Sequence, residues 1–498
     1  MTASRQPVIV GVGQLVNRAA DPAEVMEPLD MMAATARLAA EDAEIPGRLA
    51  EIDSLTVINI ISRPYADPAG FLAARLDIAP HQRIYTSMGG NSPQWRINET
   101  ADLIARGEVR LALITGAEAM HGLQLARRAG VALDWAEAGT PQTIGDGRWG
   151  NNPVEQRHHA QMPTNVYPLF ENALRAQRGW SIERHRAHLG DLCARMAAVA
   201  RDNPYAWFRQ GRSAAELSAV SPNNRMIAFP YPKMMNAIIS VDQAAALLMT
   251  DVATARALGI PQHKWVYVRG CGDATDHWFV SERVNFWSSP AIRLAGEQAL
   301  AQARLAIDAI ECFDLYSCFP CAVQIAADML GIAVDDPRPL TVTGGLPYHG
   351  GPGNNYSTHA VACMVERLRA RPGSSGLVSG IGWYITKHAV GVYSSAAPDH
   401  PFERADPKHA QARIDAESHP ELAVEGRGAG TVEAYTVQHD RDGQPAVGIV
   451  VVRLADGRRC WANISDAAIL ARIEQDEFVG QPGNVRYDEA TQVNRFEP

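Results

Sequence analysis

Ile84-Tyr-Thr-Ser-Met-Gly-Gly90-Asn-Ser92 leads into a helical stretch that closes near Gly107-Glu108, and Leu111-Ala-Leu-Ile-Thr-Gly116-Ala-Glu118-Ala-Met120 follows. Short apolar runs on either side of paired glycines and a helix fit a buried strand, a strand-to-helix turn and a second buried strand. A helix opening at this turn would let Gly90, Asn91 and Ser92 present backbone N–H groups to an anion or a carbonyl. A plain tight turn explains the same residues, and both readings stand at this point.

The alternation extends outward. Residues 8–12, 55–58 and 111–114 read as buried strands, and residues 30–43 as an Ala-rich helix, which together give α/β layering around a largely buried sheet. The pattern recurs. Asp30-Met-Met-Ala-Ala-Thr-Ala-Arg-Leu precedes Ile52-Asp-Ser-Leu55, and Ile292-Arg-Leu-Ala-Gly-Glu-Gln-Ala-Leu precedes Ile310-Glu-Cys-Phe-Asp-Leu315. Residues 111–114 and 377–382 are the matching later strands. The reading is a duplicated α/β half; the alternative is that any two α/β segments share these features.

The chain of 498 residues is long enough for two to four ordinary domains, and 46% hydrophobic residues supply a core. A net charge of −9 argues against nucleic acid or an anionic membrane as the main partner, while leaving room for a small basic pocket. Seven scattered cysteines read as reduced thiols in a cytoplasmic protein. No basic and apolar leader precedes Val8, and no run of about 18 apolar residues suggests a membrane span.

Residues 121–235 differ in composition, with Trp149-Gly-Asn-Asn-Pro153 and Gln156-Arg-His-His159, and contain one clear helix that Ser181 caps. A long insertion of this kind usually covers a site. Residues 397–425, with four prolines among charges, read as a linker. Beyond them, residues 431–438, 446–454 and 458–464 read as strands separated by Asp442-Gly443 and Asp456-Gly457, a small antiparallel, OB-like β domain.

With its glycine turn, Gly107-Glu108 and Gly116-Ala-Glu118-Ala-Met120, the chain resembles the thiolase superfamily, and specifically the sterol-carrier-type thiolase-like proteins with an added C-terminal domain. The resemblance covers roughly residues 5–395. It implies two βαβαβαββ halves in an αβαβα arrangement: residues 1–120 with 236–275, and residues 276–396. It also implies a loop domain at 121–235 over a coenzyme A site, a linker at 397–425 and an additional β domain at 426–498. Asn236-Ala-Ile-Ile-Ser240-Val-Asp242-Gln-Ala-Ala resembles the family segment that returns from the loop domain to the core.

Against the family pattern, the nucleophilic cysteine falls on Gly90, with Ser92 on the family's serine. Asp314-Leu-Tyr316-Ser-Cys318-Phe resembles the His-Asp-Cys-Phe motif, so Tyr316 stands for the histidine and Ser317 for the aspartate. Thr343-Gly-Gly345-Leu-Pro-Tyr-His349-Gly-Gly351-Pro352 resembles the Gly-Gly…Gly-His-Pro motif. An ungapped count puts Gly351 at the histidine, while a two-residue shift would bring His349 in. Ser379-Gly380-Ile-Gly382 lies where the family carries its second cysteine. Tyr316, Cys318 and His349 are therefore the candidate catalytic residues, and Gly90, Asn91, Ser92, Gly351, Ser379 and Gly380 the candidate acyl-binding or oxyanion residues. Cys318 and Cys321 form a lone Cys-x-x-Cys, and no metal is expected.

The resemblance implies acyl-CoA as ligand or substrate and nominal acetyl-CoA acyltransferase activity. With Gly90 in place of the nucleophile, standard thiolase turnover is not expected, and Gly90 should widen the space for an acyl group. The alternatives are a non-catalytic CoA-binding or partner-scaffold protein, with a partner docking on the C-terminal domain, and, behind these, nucleic-acid binding through that domain. Residues 421–498 carry eight Arg against thirteen Asp or Glu, which disfavours nucleic acid. A monomer and a homodimer both fit.

Overall fold

The computed structural model describes residues 5–498. Residues 1–4, part of the segment read as carrying no leader, lie outside them. Strands β1 (Pro7–Val16), β2 (Ser54–Val57), β3 (Gln82–Tyr85) and β4 (Leu111–Ala119) come first. The insertion contributes the short pair β5 (Met226–Ala228) and β6 (Tyr231–Pro232), and β7 (Asp242–Asp251) returns to the core. The second half holds β8 (Val266–Thr275), β9 (Cys312–Asp314), β10 (Ser375–Gly382) and β11 (Lys387–Ser394). The chain closes with β12 (Gly428–His439), β13 (Pro445–Leu454), β14 (Arg459–Ile464), β15 (Pro482–Asp488) and β16 (Val493–Glu497).

The main sheet has the order β3-β2-β4-β7-β1-β8-β11-β10-β9. Read outward from its centre, each half presents its first, last, next-to-last and second strand in turn, with β3 added at the edge of the first half, which is the expected duplication. The halves meet where β1 and β8 pair antiparallel through Val8–Tyr267 and Ile9–Val266. Helices Ser92–Arg106 and Tyr356–Arg369 pack on each other and against strands of both halves, while Pro28–Asp42 and Pro290–Ala303 cover the outer faces. The layering is αβαβα.

Each outer helix approaches its strand over a Gly-x-Gly. A Cβ on Gly11 or Gly13 would fall 2.0 Å from Ala39 O or 2.1 Å from Thr35 O, and one on Gly270 or Gly272 would fall 1.9 Å from Ala299 O or 1.8 Å from Ala295 O. Only glycine permits backbone contact this close. The partners are spaced i, i+4 on both helices, so the two halves use the same device.

The insertion holds more helix than its composition suggests. Helix Ile182–Asp202 begins at Ser181, whose hydroxyl accepts from Arg184 N, as expected. Pro163–Gln177 was not legible, because Pro168 lies inside it and its buried face carries Glu171, Asn172 and Arg175. Asn172 Nδ2 donates to Phe229 O and Tyr435 O, Arg175 binds Glu477 at 2.6 Å, and Glu171 is bound by His185, Tyr231 and Gln324. Further along the insertion's start, Ile144 pairs with Thr86 and covers the end of edge strand β3.

The stretch 397–425 is a strap that carries helix Pro407–Asp415. Arg404 pairs with Asp273 at 2.7 Å and Glu99 at 2.9 Å, and the Gln411 amide bonds both N and O of Thr275 at 2.9 Å.

Beyond the strap, five strands close a barrel in the circuit β12-β13-β14-β16-β15-β12. Its pairing is antiparallel except between β14 and β16, which run parallel, and β15 and β16 extend the three strands expected from sequence. The run Val447-Gly-Ile-Val-Val-Val452 is almost uniformly apolar because both faces of β13 are buried. Val450 and Val452 fill the barrel, while Ile449 and Val451 join Trp461 and Ala434 in the main core. Arg459, fully buried, bonds Glu433 and the carbonyls of Ser281 and Arg283, and Trp461 Nε1 donates to Ser281 Oγ at 2.9 Å.

Because Trp461 is buried against the rest of the chain, Trp461→Ala should destabilise the whole protein by about 3–5 kcal/mol. Urea unfolding followed by far-ultraviolet circular dichroism measures this. A wild-type midpoint in the variant would mean that the barrel is a loose appendage.

Candidate functional site

Three chain segments meet at the Gly89-Gly90 turn. The first is the turn itself, which opens helix Ser92–Arg106. Gly89 N donates to Asn354 Oδ1 at 2.8 Å, Ser92 N to Gly89 O at 2.9 Å, and Ser357 Oγ to Gly90 O at 2.9 Å. The second is the loop after β9, where Tyr316, Ser317 and Cys318 precede helix Pro320–Leu330. The third is the glycine-rich loop 343–353 ahead of helix Tyr356–Arg369.

Tyr316 decides what this site can do. A Cβ on Gly90 would stand 2.0 Å from Tyr316 Oη, 2.6 Å from Tyr316 Cζ and 2.6 Å from Ile381 O. The space that a side chain at position 90 would need is filled by the phenol. The expectation that Gly90 widens the acyl space is therefore overturned, because the Tyr316 ring occupies that space. Burial raises the Tyr316 hydroxyl above the ordinary phenol range, with a contribution from Cys318, so it stays a neutral hydrogen-bonding group.

Cys318 is 9% exposed, and burial pushes its thiol up to about 12. At neutral pH the thiol is therefore protonated, a poor basis for nucleophilic attack. All seven cysteines are buried and unpaired.

His349 is fully buried. Its Nδ1 meets Gly350 O at 3.3 Å, its Nε2 has no partner, and burial holds it down to about 4. Its ring packs edge-on against Tyr356, centroids 5.8 Å apart, and Tyr356 in turn packs edge-on against Tyr316 at 5.5 Å. Tyr316 and His349 are thus brought into one aromatic cluster, with Tyr356 touching both. The Tyr356 hydroxyl donates to Asp314 Oδ1 at 2.9 Å and shares a 2.5 Å hydrogen bond with Thr343.

The remaining candidates are mostly engaged in holding the site together. Ser379 Oγ accepts from Tyr316 N at 3.0 Å and so positions the tyrosine. Gly351 N donates to Ile238 O at 2.8 Å, which occupies the donor an oxyanion hole would use. Gly380 lets β10 approach the turn, since a Cβ there would lie 2.9 Å from Asn91 Cα. Ser92 Oγ donates to Ser87 O at 3.2 Å. Asn91 is 8% exposed and its side-chain oxygen has no partner.

Sequence reasoning missed Tyr356, Asp314 and Lys387. Lys387 is 6% exposed, donates from Nζ to Met88 O at 2.5 Å, and is lowered by burial to about 8. Its signal was its rarity: lysine occurs only at 233, 264, 387 and 408. Among the described residues no group of three His, Cys, Asp or Glu could hold a metal ion.

A shallow mouth of about 190 Å³ lies between the insertion and the glycine-rich loop. Phe208, Met234, Ile238 and Tyr348 form its apolar floor, exposed Arg212 and Lys233 stand on it, and no carboxylate lines it. Backbone bonds fix its walls: Phe208 N to Tyr348 O at 2.9 Å, Ile238 N to Leu346 O at 3.3 Å and Ala237 N to Cys318 O at 3.1 Å.

Two outcomes follow. Gly90→Ala should cost about 1–3 kcal/mol by overpacking, and combining it with Tyr316→Ala should cost less than the sum of the single changes; additive losses in a double-mutant cycle would contradict the contact. His349 has a folded value of about 4 against an ordinary 6.5, so the unfolded chain takes up the proton more readily. Its contribution to stability is full above pH 6.5 and is lost as pH falls towards 4. His349→Gln should flatten the fall in urea midpoint over that window, and an unchanged slope would exclude the assignment.

Residues 409–490 match the family described as the thiolase-like protein type 1 additional C-terminal domain, a match that begins within the strap. Comparison with the curated proteins finds no match. Among solved structures, the Ltp2-ChsH2(DUF35) aldolase aligns at TM-score 0.61 and 16% identity over 79% of this chain and 99% of that one. Acetyl-CoA acetyltransferase from Syntrophomonas wolfei aligns at TM-score 0.56 and 15% identity over 79% and 100%. These two show a shared fold. A monomeric SCP2-thiolase-like protein type 1 from Mycobacterium smegmatis aligns at TM-score 0.85 and 33% identity over 100% of both chains. With that identity along its full length, the chain belongs to the SCP2-thiolase-like protein type 1 family, whose additional C-terminal domain it carries.

Proposed function

We propose that this protein binds coenzyme A or an acyl-CoA without taking the acyl group onto a cysteine. The observation that carries the reading is Tyr316 occupying the space a side chain on Gly90 would need. Covalent thiolase chemistry requires an activated thiolate beside the substrate carbonyl, and here the nearest family-motif cysteine is a protonated, buried thiol. Ligand binding finds support in the mouth beneath Arg212 and Lys233, whose two cations suit a phosphate-bearing ligand and whose apolar floor suits its pantetheine arm. In this reading residues 121–235 cover the ligand between two core halves, 1–120 with 236–275 and 276–396. The unpaired thiols fit a cytoplasmic protein, and the Ile144 segment over edge β3 fits a monomer.

The barrel reads as OB-like: its strand circuit has a helix, Ala467–Ile473, between the third and fourth strands. OB folds bind oligonucleotides over their second and third strands. Those strands, β13 and β14, are packed into the main core through Ile449, Val451 and Trp461, which disfavours the nucleic-acid reading. A partner scaffold is the second reading, supported by the fold shared with the Ltp2-ChsH2(DUF35) aldolase.

Calorimetry with coenzyme A and acetyl-CoA should show saturable binding, weakened about tenfold, or 1.4 kcal/mol, in Arg212→Ala and in Lys233→Ala. Mass spectrometry after incubation with acetyl-CoA should show no acylated residue and no thioester loss. An acyl adduct would overturn the non-covalent part of the proposal, and the absence of any binding heat would remove the ligand.

A further inference from the structure

The mouth at Arg212 and Lys233 is small. Its volume of about 190 Å³ falls below the roughly 300–1,000 Å³ of a pocket that buries a drug-sized ligand. It has room for the arm of a pantetheine ligand and none for a bulky group behind that arm. The surface around the opening therefore meets whatever the arm is attached to.

That surface is cationic with exposed apolar side chains. Arg209, Arg212 and Lys233 are exposed. Burial lowers the guanidinium of Arg18, and neighbouring Arg209 lowers it further. Arg18 donates to the carbonyls of Ala206 and Trp207 at 2.6 and 2.9 Å and lies 4.9 Å over the Trp207 ring. Alongside these cations, Phe208 is 38% exposed, and Ile239, next to Ile238 of the mouth floor, is 56% exposed.

The cations are not neutralised from within. Among the described residues, none of Arg18, Arg209, Arg212 and Lys233 has a carboxylate oxygen within 4.0 Å. The nearby carboxylates are committed: Asp202 pairs with Arg201 at 2.9 Å, and Glu216 accepts from Ser213 N and Oγ at 2.8 Å. Like charges gathered without counter-charges repel one another and draw an anionic partner. In a chain of net charge −9 this gathering is local.

A pantetheine arm comes on a nucleotide, as in coenzyme A, or on a protein that bears it on a serine. A nucleotide offers phosphates and one base. A folded acidic domain offers carboxylates spread over its surface with apolar side chains among them, which is the complement of this face. We propose that the face around the mouth docks an acidic carrier domain bearing a phosphopantetheine arm. The arm enters the mouth, and Arg212 and Lys233 take its phosphodiester. Arg18, Arg209, Phe208 and Ile239 meet the carboxylates and apolar side chains around it. Carrier docking rests on the pantetheine reading of the mouth and adds what delivers the arm.

The probe is an acidic bacterial acyl carrier protein in its apo and holo forms, titrated by calorimetry into the full chain beside coenzyme A. The holo form should bind at least about tenfold more tightly than the apo form, which lacks the arm. Its binding should weaken at least about tenfold between about 50 mM and about 500 mM salt. Arg209→Glu should weaken holo-carrier binding at least about tenfold and leave coenzyme A binding within about twofold. If coenzyme A binds and the holo carrier does not, carrier docking is wrong and the pantetheine reading stands; if neither binds, both fall. Equal binding of apo and holo forms, or holo-carrier binding indifferent to Arg209→Glu, would each overturn the proposal. Binding to phosphatidylglycerol vesicles that Arg209→Glu abolishes, without carrier binding, would assign the face to a membrane instead. A wild-type circular dichroism spectrum for Arg209→Glu excludes misfolding as the cause; if that variant fails to fold, the apo–holo difference and the salt dependence of the wild type decide.

Discussion

Backbone contact between a Gly-x-Gly strand and an outer helix sets the geometry of both halves. At Gly11 and Gly13, and again at Gly270 and Gly272, a Cβ would fall 1.8–2.1 Å from a helix carbonyl oxygen. The helix carbonyls therefore sit directly on β1 and β8, the two central strands through which the halves pair. Close approach on the outer faces leaves helices Ser92–Arg106 and Tyr356–Arg369 as a shared middle layer, and the N-termini of both open at the site. The glycine turn at 89–90, the loop after β9 and the loop 343–353 converge because these two helices are packed on each other.

The residues around Gly90 are packed as a set. A gap above the glycine would be a void, and voids in cores are costly. Here Tyr316 enters the space above Gly90, Ser379 fixes the Tyr316 backbone, and Tyr356 supports the ring while its hydroxyl is held by Asp314 and Thr343. His349 packs edge-on against Tyr356 and is held neutral by burial. Hydrogen bonds that close within the protein rigidify it but offer little to a substrate.

Much of the fold was legible because the glycine turn, the Ala-rich helices and the apolar strands each carry a local signature. The repeat 30–55 against 292–315 located the duplication, and Asp442-Gly443 with Asp456-Gly457 located the first barrel hairpins. What escaped depends on contacts distant in sequence. Helix Pro163–Gln177 hides its amphipathic pattern because Glu171, Asn172 and Arg175 are buried against partners up to hundreds of residues away. The stretch 397–425 has the composition of a linker, yet Arg404 and Gln411 tie it to the C-terminal end of β8. At the site, the motifs identified Gly90 and Tyr316 separately. That one fills the space of the other is a three-dimensional fact, invisible to spacing.

The barrel is fixed against the core by contacts that are costly to break. Lifting it would expose Trp461, Ile449 and Val451 and strip Arg459 of its carbonyl partners, a loss of several buried contacts at about 25 cal/mol per Å² of apolar surface. The strap is similarly pinned through a buried arginine and a two-point amide bond. Barrel and strap are thus held to the core by buried contacts, and the mouth between the insertion and the glycine-rich loop is open in the folded chain without any movement of either.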